Sequence, residues 1–232
     1  EGMSEQEARK HCWFVDSRGL VCAERENLAA HKQPYAHEHP YIDNLLDAVK
    51  ELKPTAILGL SGQPQTFTKE IVEAMTANNN RPIIFALSNP TSMAECTAEQ
   101  AYNWSKGKAV FASGSPFDPV TYRNRTYVPG QGNNAYIFPG VGLGVIVSRS
   151  RIVTDEMFLA AAHSLADQVK DSDIERGRVY PPLSAIRQVS AKIAADVAKM
   201  VYDNGFTDKP EPKDILAEVQ EYMYRPVYPH YV

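Results

Sequence analysis

With 232 residues, 44% of them hydrophobic and 22% charged, the chain has a globular balance and enough length for a sizeable core. A net charge of −4 with interspersed signs speaks against a nucleic-acid stripe while leaving room for a local basic pocket. No apolar run spans a bilayer and residues 1–10 do not read as a signal segment; three cysteines, Cys12, Cys22 and Cys96, without CxxC or Cys/His spacing, point to a reducing compartment and to small buried hydrophobes.

In chain order, residues 5–11 read as the end of a polar helix. Cys12-Trp13-Phe14-Val15 then reads as a strand closed by the turn-like Asp16-Ser17-Arg18-Gly19. Residues 24–40 carry Pro34, Pro40, His31, His37 and His39 with little periodicity, which predicts a solvated loop with at most a short helix. The three histidines lack the spacing of a metal site. Leu45, Leu46, Val49 and Leu52 recur at helical spacing, and Pro54 ends that helix. Three aliphatic runs follow, 56–60, 82–85 and 109–112, separated by helical segments over 68–78 and 97–105. This alternation predicts an α/β fold with parallel crossovers, a Rossmann-like doubly wound sheet whose strand order stays open. Thr68 with Glu70 supplies capping chemistry for the first of these helices, and Thr97 with Gln100 has capping-box spacing for the second. Beyond Asp118 the pattern turns polar, then Gly140, Gly142 and Gly144 punctuate an apolar stretch as packing glycines. Helices are expected over 155–170 and 183–202, and 204–232 reads as an appendage.

Polar groups gather where the buried runs end. Ala86-Leu87-Ser88-Asn89-Pro90-Thr91 follows one run, Ser61-Gly62 another, and Ser113-Gly114-Ser115 the third, so one ligand-binding edge is the simplest reading. Asn89, restricted by Pro90, can donate to a carboxylate or carbonyl and accept from a ribose hydroxyl; an Asx turn fits equally well. Asn133-Asn134, framed by Gly130 and Gly132, is a second amide pair. Asp16 sits where a Rossmann second strand places an acid on the adenosine ribose, although a turn-initiating aspartate fits as well. Ser17 and Arg18 beside it suit a ribose 2′-phosphate, and Lys32 adds a second cation if its loop folds back. The glycine-rich fingerprint that precedes such an acid by about 20 residues is absent, since Asp16 has only 15 residues before it. Either the fold is not Rossmann or its first strand lies upstream. Gly140-Val141-Gly142-Leu143-Gly144 has the wrong spacing to replace it, and no pair of carboxylates is marked as acid and base.

Phe85-Ala86-Leu87-Ser88-Asn89-Pro90-Thr91 with Ala94-Glu95-Cys96-Thr97-Ala98-Glu99, Phe111 to Phe117, Pro129-Gly130-Gln131-Gly132-Asn133-Asn134 with Phe138-Pro139-Gly140, and Gly177-Arg178-Val179-Tyr180-Pro181-Pro182-Leu183 together resemble malic enzymes. Asp16-Ser17-Arg18-Gly19-Leu20 and Tyr35-Ala36-His37-Glu38-His39 look like the NADP-dependent, plant-type branch. The resemblance implies oxidative decarboxylation of L-malate to pyruvate and CO2, with NADP reduced and Mg2+ or Mn2+ assisting. In that family a lysine base, a tyrosine acid, the metal ligands and the glycine-rich loop lie upstream and match nothing here. The resemblance therefore implies a C-terminal portion: a Rossmann-like sheet lacking its first strand, followed by C-terminal helices. Residues 1–133 are expected to form the NADP-binding domain, 134–203 to pack on a substrate domain, and 204–232 to join subunits of a homo-oligomer, dimer or tetramer. Asn89, Asn133 and Asn134 are carried over as malate contacts. Asp16, Ser17, Arg18, Lys32, Ser61, Gly62, Ser88 and Asn89 are carried over on the cofactor side. No catalytic residue or metal ligand is assigned, and the chain alone is expected to be inactive. The expected setting is cytoplasm or chloroplast stroma, with no nucleic-acid or membrane partner. A non-catalytic module that senses NADP or a dicarboxylate is the rival reading, and it predicts tight binding by this chain alone.

Overall fold

A computed structural model describes residues 2–225, which fall into two compact units divided between Arg125 and Thr126. The sequence-based boundary at 133/134 lies eight residues later, and the part of the appendage over 226–232 lies outside the described residues.

The first unit opens on helix α1 (Glu5–Arg9), where Ser4 and Glu7 form a reciprocal capping box. The expected strand after it is shorter than the apolar run. Strand β1 (Val15–Asp16) pairs antiparallel with β2 (Gly19–Leu20), Val15 opposite Leu20 and Asp16 opposite Gly19. Asp16 thus sits in a tight hairpin instead of ending a parallel strand. Gly19 is required there: its φ is 86°, and a Cβ would lie 2.3 Å from the Ile42 carbonyl oxygen. The 24–40 loop contains only the short 3-10 turn Gln33–Tyr35, as its composition predicts. Trp13 packs on the rings of His37 and His39, so these histidines are engaged in ring contacts. Cys12 is exposed, against expectation, because the run around it is a short surface segment; Cys22 and Cys96 are buried.

Helix α2 (Leu45–Leu52) is capped by the Asn44 side chain and ends at Lys53 in the left-handed region, one residue before Pro54. Strand β3 (Ala56–Gly59), helix α3 (Lys69–Asn78), strand β4 (Ile83–Ala86), helix α4 (Ala98–Trp104) and strand β5 (Val110–Ser113) follow in alternation. The three strands are parallel neighbours in that order. Thr97 and Gln100 make the anticipated capping box, whereas Thr68 caps α3 without a side-chain bond to a helix N–H. Ile57, Ile84 and Phe111 occupy one register row and are buried, with Tyr102 of α4 edge-on against Phe111. On the opposite face Leu58 is 56% exposed. A hairpin of β6 (Val120–Tyr122) and β7 (Arg125–Tyr127) follows.

The second unit begins with the two-residue strand β8 (Gly130–Gln131) and is otherwise helical: α5 (Phe138–Ser148), α6 (Asp155–Ala166), α7 (Asp171–Glu175), α8 (Ile186–Asp203) and α9 (Ile215–Tyr222). The helix expected over 155–170 ends at Ala166, and α7 is a separate short turn. Helix α8 is the axis of the core, with Val189, Ile193, Val197 and Val201 packed among Met157, Ala161 and Leu165 of α6. Burial of each such side chain stabilises by about 1.5–3 kcal/mol. Two of the three glycines of α5 face α8: a Cβ on Gly140 would lie 2.6 Å from Ile193, and one on Gly144 would lie 2.7 Å from the Ala194 carbonyl oxygen. Gly142 faces nothing within 4 Å. The tail up to α9 is part of this core, because Val219 is fully buried with Val147, Ala191 and Ala194. Lys209 fastens it further, donating to the Val147 carbonyl oxygen at 2.6 Å and to Glu218.

Candidate functional site at the strand ends

The parallel register sets Gly59, Ala86 and Ser113 side by side, so the three following loops emerge at one edge of the sheet. The ladder runs one step further, through Leu87 N–H to Gly59 O at 2.9 Å and Gly114 N–H to Ala86 O at 3.0 Å. Gly114 lets two loops touch, since a Cβ there would lie 2.2 Å from the Leu87 carbonyl oxygen and 2.8 Å from Asn89 Nδ2. The Ser115 hydroxyl donates to Asn89 Oδ1 at 2.6 Å, and Asn89 Nδ2 makes one long bond of 3.4 Å to Leu87 O. Ser115 thus occupies one of the two lone pairs on the Asn89 oxygen, and the exposed amide keeps an acceptor position as well as a donor, the latter suited to a carboxylate or carbonyl.

Ser88 sits one residue earlier and is buried. Its hydroxyl donates to Glu95 and accepts from the Gly62 N–H at 2.9 Å. Gly62 has φ 66° and open space where a Cβ would stand, so backbone there is accessible to close approach by a ligand. Ser61 is exposed beside it. Thus Ser61, Gly62, Ser88 and Asn89 gather on one edge, held by two residues the sequence reading had not singled out as site residues, Ser115 and Glu95. The repeated Ser-Gly loops signalled the first. For the second the signal was a carboxylate set between Ala94 and Cys96 in an apolar context. Burial and then the charge of Glu95 push the Cys96 thiol up to about 12, which leaves it inert.

A second cluster is built on the β1–β2 hairpin. Arg25 forks onto both oxygens of Asp16 at 3.0 and 3.1 Å, Lys32 Nζ reaches Oδ2 at 2.5 Å, and the Arg18 backbone N–H donates to Oδ1 at 2.8 Å. Arg25 also donates to the carbonyls of Gly19 and Leu20, which locks it beneath the turn with its side chain 7% exposed. Partial burial pushes the Asp16 carboxyl up, but bonds from Arg25, Lys32 and Arg18 outweigh it and hold the group well below the usual carboxylate range. The loop carrying Lys32 does fold back. The guanidinium on the acid, however, is Arg25's, not Arg18's: Arg18 contributes its amide, its carbonyl accepts from Tyr41 Oη at 2.7 Å, and like Ser17 it is exposed. Asp16, Arg18, Arg25 and Lys32 together carry a formal surplus of two positive charges, a setting for an anionic group on the exposed side.

In the second unit Asn133 Oδ1 accepts from the Ala135 N–H at 2.9 Å and caps the 3-10 turn Asn134–Tyr136, so one end of that amide is committed locally. Asn134 is exposed at the start of the turn. Among the described residues no group of three or more His, Cys, Asp or Glu side chains could hold a metal ion, and no helix is long and apolar enough to cross a membrane.

Parallel strands joined through helices, with small-residue loops and a charge cluster beside them, define a Rossmann-like α/β domain. The family model described as malic enzyme, NAD binding domain matches residues 1–202, and the chain belongs to that family. It is 54% identical over 228 residues to a chloroplastic NADP-dependent malic enzyme of Oryza sativa subsp. japonica, covering 97% of this chain and 36% of that protein. It is 55% identical over 227 residues to NADP-dependent malic enzyme 2 of Arabidopsis thaliana, covering 97% and 39%. The chain thus spans well under half the length of these relatives. A crystal structure of Entamoeba histolytica malic enzyme shares the fold, with a TM-score of 0.71 at 22% identity over 90% of this chain and 42% of that one.

Proposed function

We propose that this chain is the cofactor-binding portion of an NADP-dependent malic enzyme, which converts L-malate to pyruvate and CO2 with formation of NADPH. The observation that carries the reading is the neutralised acid. An aspartate that meets a ribose would repel a 2′-phosphate, but Arg25 and Lys32 both pair with Asp16 and more than cancel its charge, and with Arg18 the cluster keeps a net positive charge. Ser17 supplies a hydroxyl to the same phosphate. When bound, NADP accepts the hydride that leaves malate. This chain's part is to bind and orient: Ser61, Gly62 and Ser88 shape the edge on the cofactor side, while Asn89, Asn133 and Asn134 hold malate through amide donors. Divalent metal, Mg2+ or Mn2+, belongs to the whole enzyme, and no step at this edge is routed through it. The relatives' chloroplastic names support a stromal enzyme, with cytoplasm as the other reducing setting, and homo-oligomeric assembly goes with the same reading.

The test is cofactor preference in the full-length protein. Lys32→Gln and Arg18→Ala are expected to weaken NADP more than NAD, from loss of bonds to charged groups worth roughly 1.5–3 kcal/mol each. Equal losses for both cofactors would remove these residues from the phosphate site. Calorimetry on this chain alone separates the sensor reading, which requires tight NADP binding without any further segment.

A further inference from the structure

Resting on the reading of this edge as a dinucleotide site, we propose that Glu95 is a positioning residue that sets the cofactor-side loops through Ser88. Glu95 is 0% exposed and lies directly against the end of β3, where a Cβ on Gly59 would be 2.2 Å from its Cδ. Its oxygens meet the Ser88 hydroxyl and, at 3.4 Å, the Ser88 N–H. A serine hydroxyl has one hydrogen; Ser88 gives it to Glu95, so toward the β3 loop its oxygen can only accept, and there it takes the Gly62 N–H at 2.9 Å. A closed circuit results: Gly59, Glu95, Ser88, Gly62, and back along three residues of chain. The Gly62 peptide, the one with open space in front of it, is held at a fixed distance from the β4 corner that bears Asn89.

Packing alone does not account for a carboxylate here. An apolar side chain of similar size would fill the space under Gly59 without the desolvation cost of a buried charge. It would leave the Ser88 hydrogen without its acceptor, and the hydroxyl free to turn away from Gly62. The segment is otherwise well anchored by backbone bonds from Gln65 N–H to Ala94 O and Phe67 N–H to Glu95 O, so loss of the side chain acts on the loop rather than on the strand.

The experiment uses full-length protein with Glu95→Ala, Glu95→Gln, Ser88→Ala and the Glu95→Ala/Ser88→Ala double variant, read by NADP titration and by amide hydrogen exchange. Glu95→Ala is expected to weaken NADP about tenfold, from loss of one charge-assisted bond and the amide it orients. It should also speed exchange over 60–65 while 110–113 stays protected. Glu95→Gln keeps an acceptor for Ser88 but sets an NH2 group against the Ser88 N–H, so a smaller loss of about threefold is expected. The double variant should bind as Ser88→Ala does, because Glu95 acts only through Ser88. Additive losses in the double variant, or unchanged exchange over 60–65, overturn the proposal. If Glu95→Ala does not fold, Glu95→Gln with and without Ser88→Ala decides by the same two readouts. A wild type that does not bind NADP refutes the proposed function instead, and the exchange data still judge Glu95.

Discussion

Gly140, Gly142 and Gly144 look alike in the sequence, yet alanine at Gly142 should act opposite to alanine at the other two. Alanine in a helix interior gains roughly 0.5–1 kcal/mol over glycine. At Gly142 a Cβ meets nothing within 4 Å, so the gain is realised in full. At Gly144 the Cβ would lie 2.7 Å from a backbone carbonyl oxygen and 2.9 Å from Val197 Cβ, neither of which can rotate away. Overpacking of this kind costs about 1–3 kcal/mol, and the upper end applies, so the net loss is about 2 kcal/mol after the helix gain. At Gly140 the contacts are Ile193 Cγ2 at 2.6 Å and Cβ at 2.7 Å, on a β-branched side chain with one favoured rotamer. The Cβ cannot rotate away and the Ser190 carbonyl oxygen stands at 3.1 Å, so a loss of about 2 kcal/mol follows here as well. With about 2–4 °C per kcal/mol for a domain of this size, the melting temperature of full-length protein should rise by about 2 °C for Gly142→Ala and fall by about 4–8 °C for Gly144→Ala. Calorimetric scans of the three variants give the order directly. A Gly142→Ala variant that melts as low as Gly144→Ala would refute the assignment of faces on α5, and with it the α5–α8 packing.

Asp16 is held ionised by Arg25 and Lys32, so its stabilisation is present above the unfolded carboxylate value of about 4 and is lost as pH falls through the lower folded value. The melting-temperature gap between wild type and Asp16→Asn should therefore be widest at neutral pH and shrink as pH is lowered from about 5 to 3; a gap that is constant with pH argues against the pairing. Alkylation of the folded protein at pH 8 should label Cys12 and spare Cys22 and Cys96, as peptide mass mapping will show. Gly114→Ala drives a Cβ into the Leu87 carbonyl and the Asn89 amide, so a destabilisation of about 1–3 kcal/mol should accompany a raised KM for malate. Retention of both wild-type values would detach Gly114 from the placement of Asn89.

The strand-end edge was legible because short buried strands that stop at small residues leave few alternatives once they are parallel: Gly59, Ala86 and Ser113 fall in register, and the polar residues after them have to converge. Arg25 was not legible, because it meets Asp16 across nine residues of aperiodic loop, where no spacing rule connects an acid to its partner. Arg18 meets the aspartate only through its amide, because in a two-residue hairpin the aspartate bonds the backbone two residues on, and its side chain stays exposed.

The acids of the two clusters share one property that bears on chemistry. Asp16 spends both oxygens on Arg25, Lys32 and the Arg18 amide, and Glu95 is fully buried with both oxygens turned to Ser88. Asp16 has no free lone pair for a substrate hydroxyl and, held well below the ordinary range, is a poor proton acceptor at neutral pH, while Glu95 is shut away from solvent. Asn89 presents a neutral donor, and Gly62 presents backbone. Under the proposed function, this leaves the two acids to position neighbouring groups rather than to exchange protons with a substrate.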